Sequence, residues 1–265
     1  MLLSQFFSII LHPESKFTYM KLTIDIGNTC IKLVAFDGDT PIESCHAEHD
    51  EPYKIVEFCS RHDFTKGIWS TVKKLSTDFT SVIENLPFPT MQLVSGKTPV
   101  PVSIGYEPPT SLGSDRLAAI VGAWTQQPFH DILVIDVGTC ITFDMISSKG
   151  IYMGGNISPG PKMRFRALNT FTSALPMVER KGLSPRLGTT TETAIRSGVI
   201  NGIRLEIEGY IKEFRSKYPH LLVYLTGGIH IDLHNSEKMC IFADEYLVPK
   251  GLNGILQYNE ASFAK

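Results

Sequence analysis

No run of apolar side chains in this chain approaches the ~20 residues that span a bilayer. The longest near the amino end, Phe6 to Leu11, is already broken at Ser8. A membrane span is therefore not expected, and residues 1–19 lack the basic start and small-residue cleavage site of a secretory signal. Net charge is also scarce: 25 Lys and Arg face 27 Asp and Glu, a formal balance of -2, too little for broad affinity to nucleic acid or an anionic membrane. The five cysteines (Cys30, Cys45, Cys59, Cys140, Cys240) are odd in number, scattered and free of any CxxC pair, and the eight histidines show no ligand spacing. Neither disulfides nor structural zinc is expected on that pattern. Low-complexity segments are absent as well. The expectation is a cytoplasmic protein with neither membrane nor nucleic acid as partner, acting on a small neutral or anionic molecule.

What is present is a chain of 265 residues, 43% hydrophobic and 20% charged, enough to build a real core in one large domain or two smaller ones. Strand patterns at Leu22–Asp25, Ile31–Phe36, Gly67–Val72, Ile132–Asp136, Ile141–Ile146 and Leu222–Leu225 alternate with helical ones at Tyr53–His62, Asp115–Gln126, Lys162–Ala174 and Thr191–Tyr218. That alternation predicts an α/β fold. In the last helix Ile195, Val199, Ile203, Tyr210 and Phe214 recur near helical spacing and predict one buried face. Met20 stands just before the first strong strand, so residues 1–19 read as an extension, or an upstream start, outside the fold.

One short phrase occurs twice, as Thr23-Ile-Asp-Ile-Gly-Asn-Thr29 and Val134-Ile-Asp-Val-Gly-Thr139. Each copy is an apolar strand ending in Asp, a glycine turn with a hydroxyl residue, and a second apolar strand. The duplication predicts two similar subdomains, 20–127 and 128–265, joined at Gln126–His130. Glycine turns offer converging backbone N–H groups that bind phosphate, and an Asp beside them can hold Mg²⁺ or its waters. Lys32, the only charge in Cys30–Phe36, calls for an anion. A single copy reads equally as an ordinary hairpin with a capping Asp; two copies and the Lys weigh towards phosphate.

The pair DxGN(T/S)xxK and DxGT resembles the phosphate-binding signature of the actin-like ATPase and sugar kinase superfamily. Further motifs narrow the resemblance to the type III pantothenate kinases. Leu112-Gly-Ser-Asp-Arg116 is similar to their Gly-x-Asp-Arg motif, and Tyr106 falls at their substrate-contacting Tyr. Val134 to Asp144 is similar to DxGTAxTxD, Gly154-Gly-Asn-Ile-Ser-Pro-Gly160 to GGxIxPG, and Thr226-Gly-Gly228 to their adenosine-binding turn. The motifs run in order from about residue 20 to residue 258; Ser114 and Cys140 stand where the family usually has Ala.

The resemblance implies two actin-like (ribonuclease H-like) subdomains with a nucleotide cleft between them, and ATP-dependent phosphorylation of pantothenate to 4'-phosphopantothenate, the first step of coenzyme A synthesis. It implies Asp115 as catalytic base, with Tyr106, Gly113, Ser114, Arg116 and Thr191 at pantothenate and Arg116 on its carboxylate. It places Asp25, Gly27, Asn28, Thr29, Lys32, Gly138, Thr139, Gly227 and Gly228 at ATP. Asp25 would face the Mg²⁺-nucleotide and Asp136 a monovalent cation, K⁺ or NH₄⁺. A homodimer is implied, Thr191 reaching pantothenate from the neighbouring subunit.

Read without the resemblance, Ser114 could cap a helix and Asp115 favour its positive end. Asp144 reads as structural, Gly154–Gly160 as a turn-rich loop and Thr226–Gly228 as a strand-to-helix turn. The chemistry asked of Asp115 agrees with the resemblance, since phosphoryl transfer to an alcohol is mainly positioning plus one group for the hydroxyl proton. Two other classes remain: a sugar or acetate kinase of the superfamily, which Gly113–Arg116 with Tyr106 argues against, and a regulatory, transcriptional accessory member, which Lys32, Asp115 and both hairpin Asp residues argue against.

Overall fold

In the computed structural model, which describes residues 20–233 and 241–260, two mixed sheets account for the repeated phrase. The extension before Met20 and Cys240 lie outside the described residues. In the first sheet the order is β3 (Thr40–Ala47), β2 (Ile31–Asp37), β1 (Met20–Ile26), β4 (Phe64–Thr71), β5 (Thr90–Gln92). β1 to β3 form an antiparallel meander, and β4 and β5 run parallel to β1. In the second sheet β9 (Ile151–Pro159), β8 (Cys140–Ile146), β7 (Ile132–Val137), β10 (Leu222–Thr226) and β11 (Ile241–Ala243) repeat both the order and the strand senses. β6 (Ser103–Ile104) extends that sheet beside β9. The two hairpins of the repeated phrase, β1–β2 and β7–β8, thus hold matching places in two copies of one architecture, the actin-like arrangement.

Central strands read as near-continuous apolar runs because both faces are covered. Ile132 to Ile135 are fully buried in β7, as are Leu22 and Ile26 in β1. The helices are α1 (Tyr53–Cys59), α2 (Thr77–Glu84), α3 (Ser114–Gln126), α4 (Pro161–Thr170), α5 (Thr191–Lys217) and α6 (Leu247–Tyr258). α3 is buried nearly all round, Leu117 to Ala123 being closed off from solvent, which is how a helix apolar on every face behaves. It packs against α6, whose Leu247, Leu252, Ile255 and Leu256 join the same core. α6 also touches β1 and β4, and its Asn253 donates to the Gly38 carbonyl at 2.9 Å. α6 therefore packs back on the first sheet. α5 starts at Thr190 in a capping box with Thr193 and buries Ile195, Val199, Ile203, Ile207 and Ile211 along one stripe, with Tyr210 and Phe214 half-buried beside it.

Some expectations change. The segment Gly154–Gly160 is no loop: most of it is β9, paired with β8. Gly155 lies within that strand for want of room, since a Cβ there would lie 2.6 Å from Arg116 Nη2, whereas Gly154 has open space and takes a φ of +124 that favours glycine. Thr226-Gly-Gly does not run directly into a helix; residues 229–233 are irregular. The helices expected at Tyr53–His62 and Lys162–Ala174 stop earlier, at Cys59 and Thr170. The four described cysteines are free, and among the described residues no helix is long and apolar enough to cross a membrane.

Candidate active site

Asp25 faces Lys32 across the first hairpin and Asp136 faces Thr142 across the second. Both turns close alike: the Gly27 N–H donates to the Cys30 carbonyl at 3.1 Å, and the Gly138 N–H to the Cys140 carbonyl at 2.9 Å. The tips meet, for the Thr29 and Thr139 hydroxyls are 2.8 Å apart. Gly160 rests on the second tip, its N–H donating to the Thr139 carbonyl at 3.0 Å. Gly227, with φ +99, packs on Asp136, where a Cβ would come 2.5 Å from Oδ1, whereas Gly228 borders open space. The Asn28 carbonyl, at the exposed first tip, accepts from His49 Nε2 at 3.3 Å.

Three carboxylates converge beneath these tips. The Asp25 Oδ1 accepts from the Ser70 hydroxyl at 2.9 Å, Ser70 being its register partner on β4. Asp115 lies in the first turn of α3, its Oδ1 accepting from the Arg116 N–H at 2.8 Å. Gly113 has no room for a side chain, since a Cβ would sit 2.6 Å from that oxygen. Ser114 is not the helix cap: Gly113 occupies that position, and the Ser114 hydroxyl donates to the Thr71 carbonyl at 3.0 Å, tying α3 to the end of β4. Lys32 crosses to the other half, where Nζ donates to the Glu245 carbonyl at 2.6 Å and stands 4.6 Å from the centre of the Tyr246 ring. Burial lowers its pKa, against the opposing pull of Glu245, Asp25 and Asp244.

The crowding of negative charge shows in the titration of these groups. Burial pushes Asp25 up to about 6, helped by Asp115 and opposed by Ser70 and Lys32. Burial pushes Asp136 up to about 7, with Asp115, Asp25 and Asp144 adding and Lys32 subtracting. Asp115 is raised too, by burial first and by Asp144 against the Arg116 amide. A carboxyl whose folded pKa lies above its unfolded one contributes stability at low pH and loses it as pH rises through the folded value. Without nucleotide or divalent metal, the melting temperature is therefore expected to fall across the window from about pH 4 to about pH 7, and Asp136→Asn to flatten that fall. A melting temperature that rises with pH there, in both proteins alike, would contradict the assigned burial.

Arg116 is itself buried and ion-paired with Asp144 at 2.6 Å, its Cζ 5.6 Å from the centre of the Tyr106 ring. Thr191 opens α5 on a groove of about 760 Å³ lined by Arg164, Leu168, Leu175 and Ile195. Among the described residues no hydrogen bond or ion pair joins Thr191 to Asp115, Arg116 or Tyr106. Sequence reasoning missed Ser70, Tyr152 and the Glu245–Tyr246 wall. Only strand register and tertiary contact bring them here, and neither leaves a local pattern.

A duplicated fold whose glycine hairpins meet tip to tip over carboxylates, with a lysine bridging the halves, defines a phosphotransferase of the actin-like ATPase and sugar kinase superfamily. Solved structures agree on the fold. A Baf family transcriptional activator from Campylobacter jejuni is 22% identical with TM-score 0.59, covering 91% of this chain and 99% of that one. The activator of 2-hydroxyisocaproyl-CoA dehydratase from Clostridium difficile, with bound ADPNP, is 12% identical with TM-score 0.50, covering 92% and 96%. The family model for type III pantothenate kinase matches residues 21–213. Proteins named type III pantothenate kinase from Phocaeicola vulgatus (48% identity, 91% of this chain and 99% of that protein) and Bacteroides fragilis (48%, 91% and 98%) are similar over nearly their whole length. The chain belongs to the type III pantothenate kinase family, and its activity is the phosphorylation of pantothenate by ATP in coenzyme A synthesis; the regulatory alternative is not favoured.

Proposed function

We propose that phosphoryl transfer takes place between the two hairpin tips, with Asp115 as the base. The observation that carries this reading is the 2.8 Å contact of Thr29 with Thr139 above Asp25, Asp115 and Asp136. The glycine turns at Gly27 and Gly138 turn the backbone N–H groups of Asn28, Thr29 and Thr139 to the phosphates, Lys32 meets their charge, and Gly227 and Gly228 border the nucleoside. The terminal hydroxyl oxygen of pantothenate forms a bond to the γ-phosphorus as the bond from that phosphorus to the β,γ-bridging oxygen breaks. ADP leaves with the electron pair, and the hydroxyl proton passes to the Asp115 carboxylate. A raised pKa suits Asp115, because a base works best when its pKa approaches the working pH. Tyr106, Gly113, Ser114 and Arg116 form the pantothenate side, with Arg116 directed to its carboxylate.

The oxygen-only donors fit hard cations. Among the described residues no group of three His, Cys, Asp or Glu stands ready to hold a metal alone. Asp25 fits an Mg²⁺ that shares its coordination with nucleotide phosphates and water, and Asp136 fits a monovalent cation. These ions would neutralise charge on the phosphates and on the crowded carboxylates. Activity is then expected to depend on K⁺ or NH₄⁺ at fixed ionic strength, and Asp136→Ala to lose that dependence with most of the turnover. Equal rates in Na⁺ and K⁺ buffers would overturn the role.

We also propose a homodimer in which Thr191 completes the neighbouring subunit's site, a reading supported by the open groove beside Thr191. Mixing Asp115→Asn chains with Thr191→Arg chains, each inactive alone, puts both defects in one site of a mixed dimer and leaves the other intact. About a quarter of parental activity is expected to return under random exchange. No recovery, with exchange verified by mass spectrometry, would overturn the shared site.

A further inference from the structure

One edge of the Arg116 guanidinium is already engaged. Its Nε donates to both Asp144 oxygens, at 2.9 and 3.2 Å, and its Nη2 to Asp144 Oδ1 at 2.6 Å and to the Tyr152 hydroxyl at 3.0 Å. The Tyr152 hydroxyl donates in turn to Asp144 Oδ1 at 2.6 Å. This closed triangle is dry: relative exposure is 6% for Arg116 and 0% for Asp144 and Tyr152. Gly155 on β9 makes the space, since a Cβ there would lie 2.6 Å from Arg116 Nη2 and would overlap Asp144 Oδ1. Burial alone would pull the Arg116 pKa down, and the bond to Asp144 with its charge more than offsets it. A guanidinium carries five N–H donors in a rigid plane. The triangle takes the Nε–H and both on Nη2, leaving the pair on Nη1, while the ring of Tyr106 lies 5.6 Å from Cζ and its hydroxyl helps to hold the charge.

We infer that Asp144 and Tyr152 are positioning residues, which lock one edge of Arg116 so that the Nη1 end, bordered by Tyr106, meets the carboxylate of pantothenate. The inference rests on the proposed placement of that carboxylate at Arg116. A long side chain free to rotate would lose conformational freedom on binding its anion, and one already fixed by a buried carboxylate and a phenol does not. The same fixing explains why an apolar strand, β8, carries a fully buried Asp five residues past the second hairpin tip at Thr139.

The test compares two acceptors: pantothenate, and its alcohol analogue in which a CH₂OH group replaces the carboxylate. The readout is the ratio of their kcat/KM values, which a loss of folding or a general loosening would leave unchanged because it affects both acceptors together. Asp144→Asn is expected to lower the preference for pantothenate by about 10-fold or more through its KM, with the KM for ATP moving less than about 2-fold. Tyr152→Phe, which keeps the ion pair and is the milder change for folding, is expected to lower the preference by a few-fold. An unchanged preference in both variants would overturn the positioning role, provided Arg116→Lys does lose it. If Arg116→Lys also keeps the full preference, the carboxylate does not lie at Arg116 and the underlying placement fails instead.

Discussion

Replacing Asp115 by Asn is expected to lower kcat by about 10²- to 10⁴-fold while ATP affinity, measured by calorimetry, stays within about 2-fold. The amide keeps the shape of the carboxyl and its acceptor for the Arg116 N–H, so the helix start is retained and only the proton acceptor is lost. Gly113 keeps the space beside the carboxyl clear. Burial and the neighbouring Asp144 raise its pKa, in the direction that makes it a stronger base. If Asp115 served only the positive end of α3, the change would cost less than about 1 kcal/mol of stability and kcat would stay within a few-fold of the parent.

The second large effect concerns the seam between the halves. Gly251 on α6 approaches α3 backbone to backbone, and a Cβ there would overlap the Ala118 carbonyl oxygen and lie 2.9 Å from the Gly122 nitrogen. Both partners are helix backbone, which cannot step aside as a flexible side chain could. Gly251→Ala is expected to cost about 3 kcal/mol and to lower the melting temperature by roughly 6 to 12 °C. Because α6 also packs on β1 and β4, the variant should lose activity in parallel with stability, by an amount recovered on cooling. A drop under about 2 °C by calorimetry would show that α3 and α6 do not meet so closely.

The two hairpins of the candidate site were more legible than several of the elements around them. The hairpins were legible because a glycine turn between apolar strands is a local pattern and was written twice. The helix at Thr191 was legible because Ile195, Val199 and Ile203 repeat within a single face. α6 was not: Leu247 to Leu256 carries two glycines and a proline, which favour loops by propensity, and it is helical because α3 and β1 cover it. β9 was hidden in the same way, its Gly155 marking close approach to Arg116 and Asp144 instead of a turn. The alternative reading of Ser114 as a cap fails because, although a hydroxyl at a helix start usually binds its own helix, this one reaches the Thr71 carbonyl. Asp144 is fully buried, and its partner Arg116 could be found only by bringing β8 beside α3.

The most direct test of the account is a competition among acceptors. The purified protein, with ATP, Mg²⁺ and K⁺, is offered pantothenate, a panel of hexoses and acetate, and the products are read by mass spectrometry. The account predicts pantothenate phosphorylated at its terminal hydroxyl, stoichiometric ADP, and no sugar phosphate or acetyl phosphate. Phosphorylation of a sugar or of acetate at a comparable rate, or binding of ATP with no turnover of pantothenate, would contradict it.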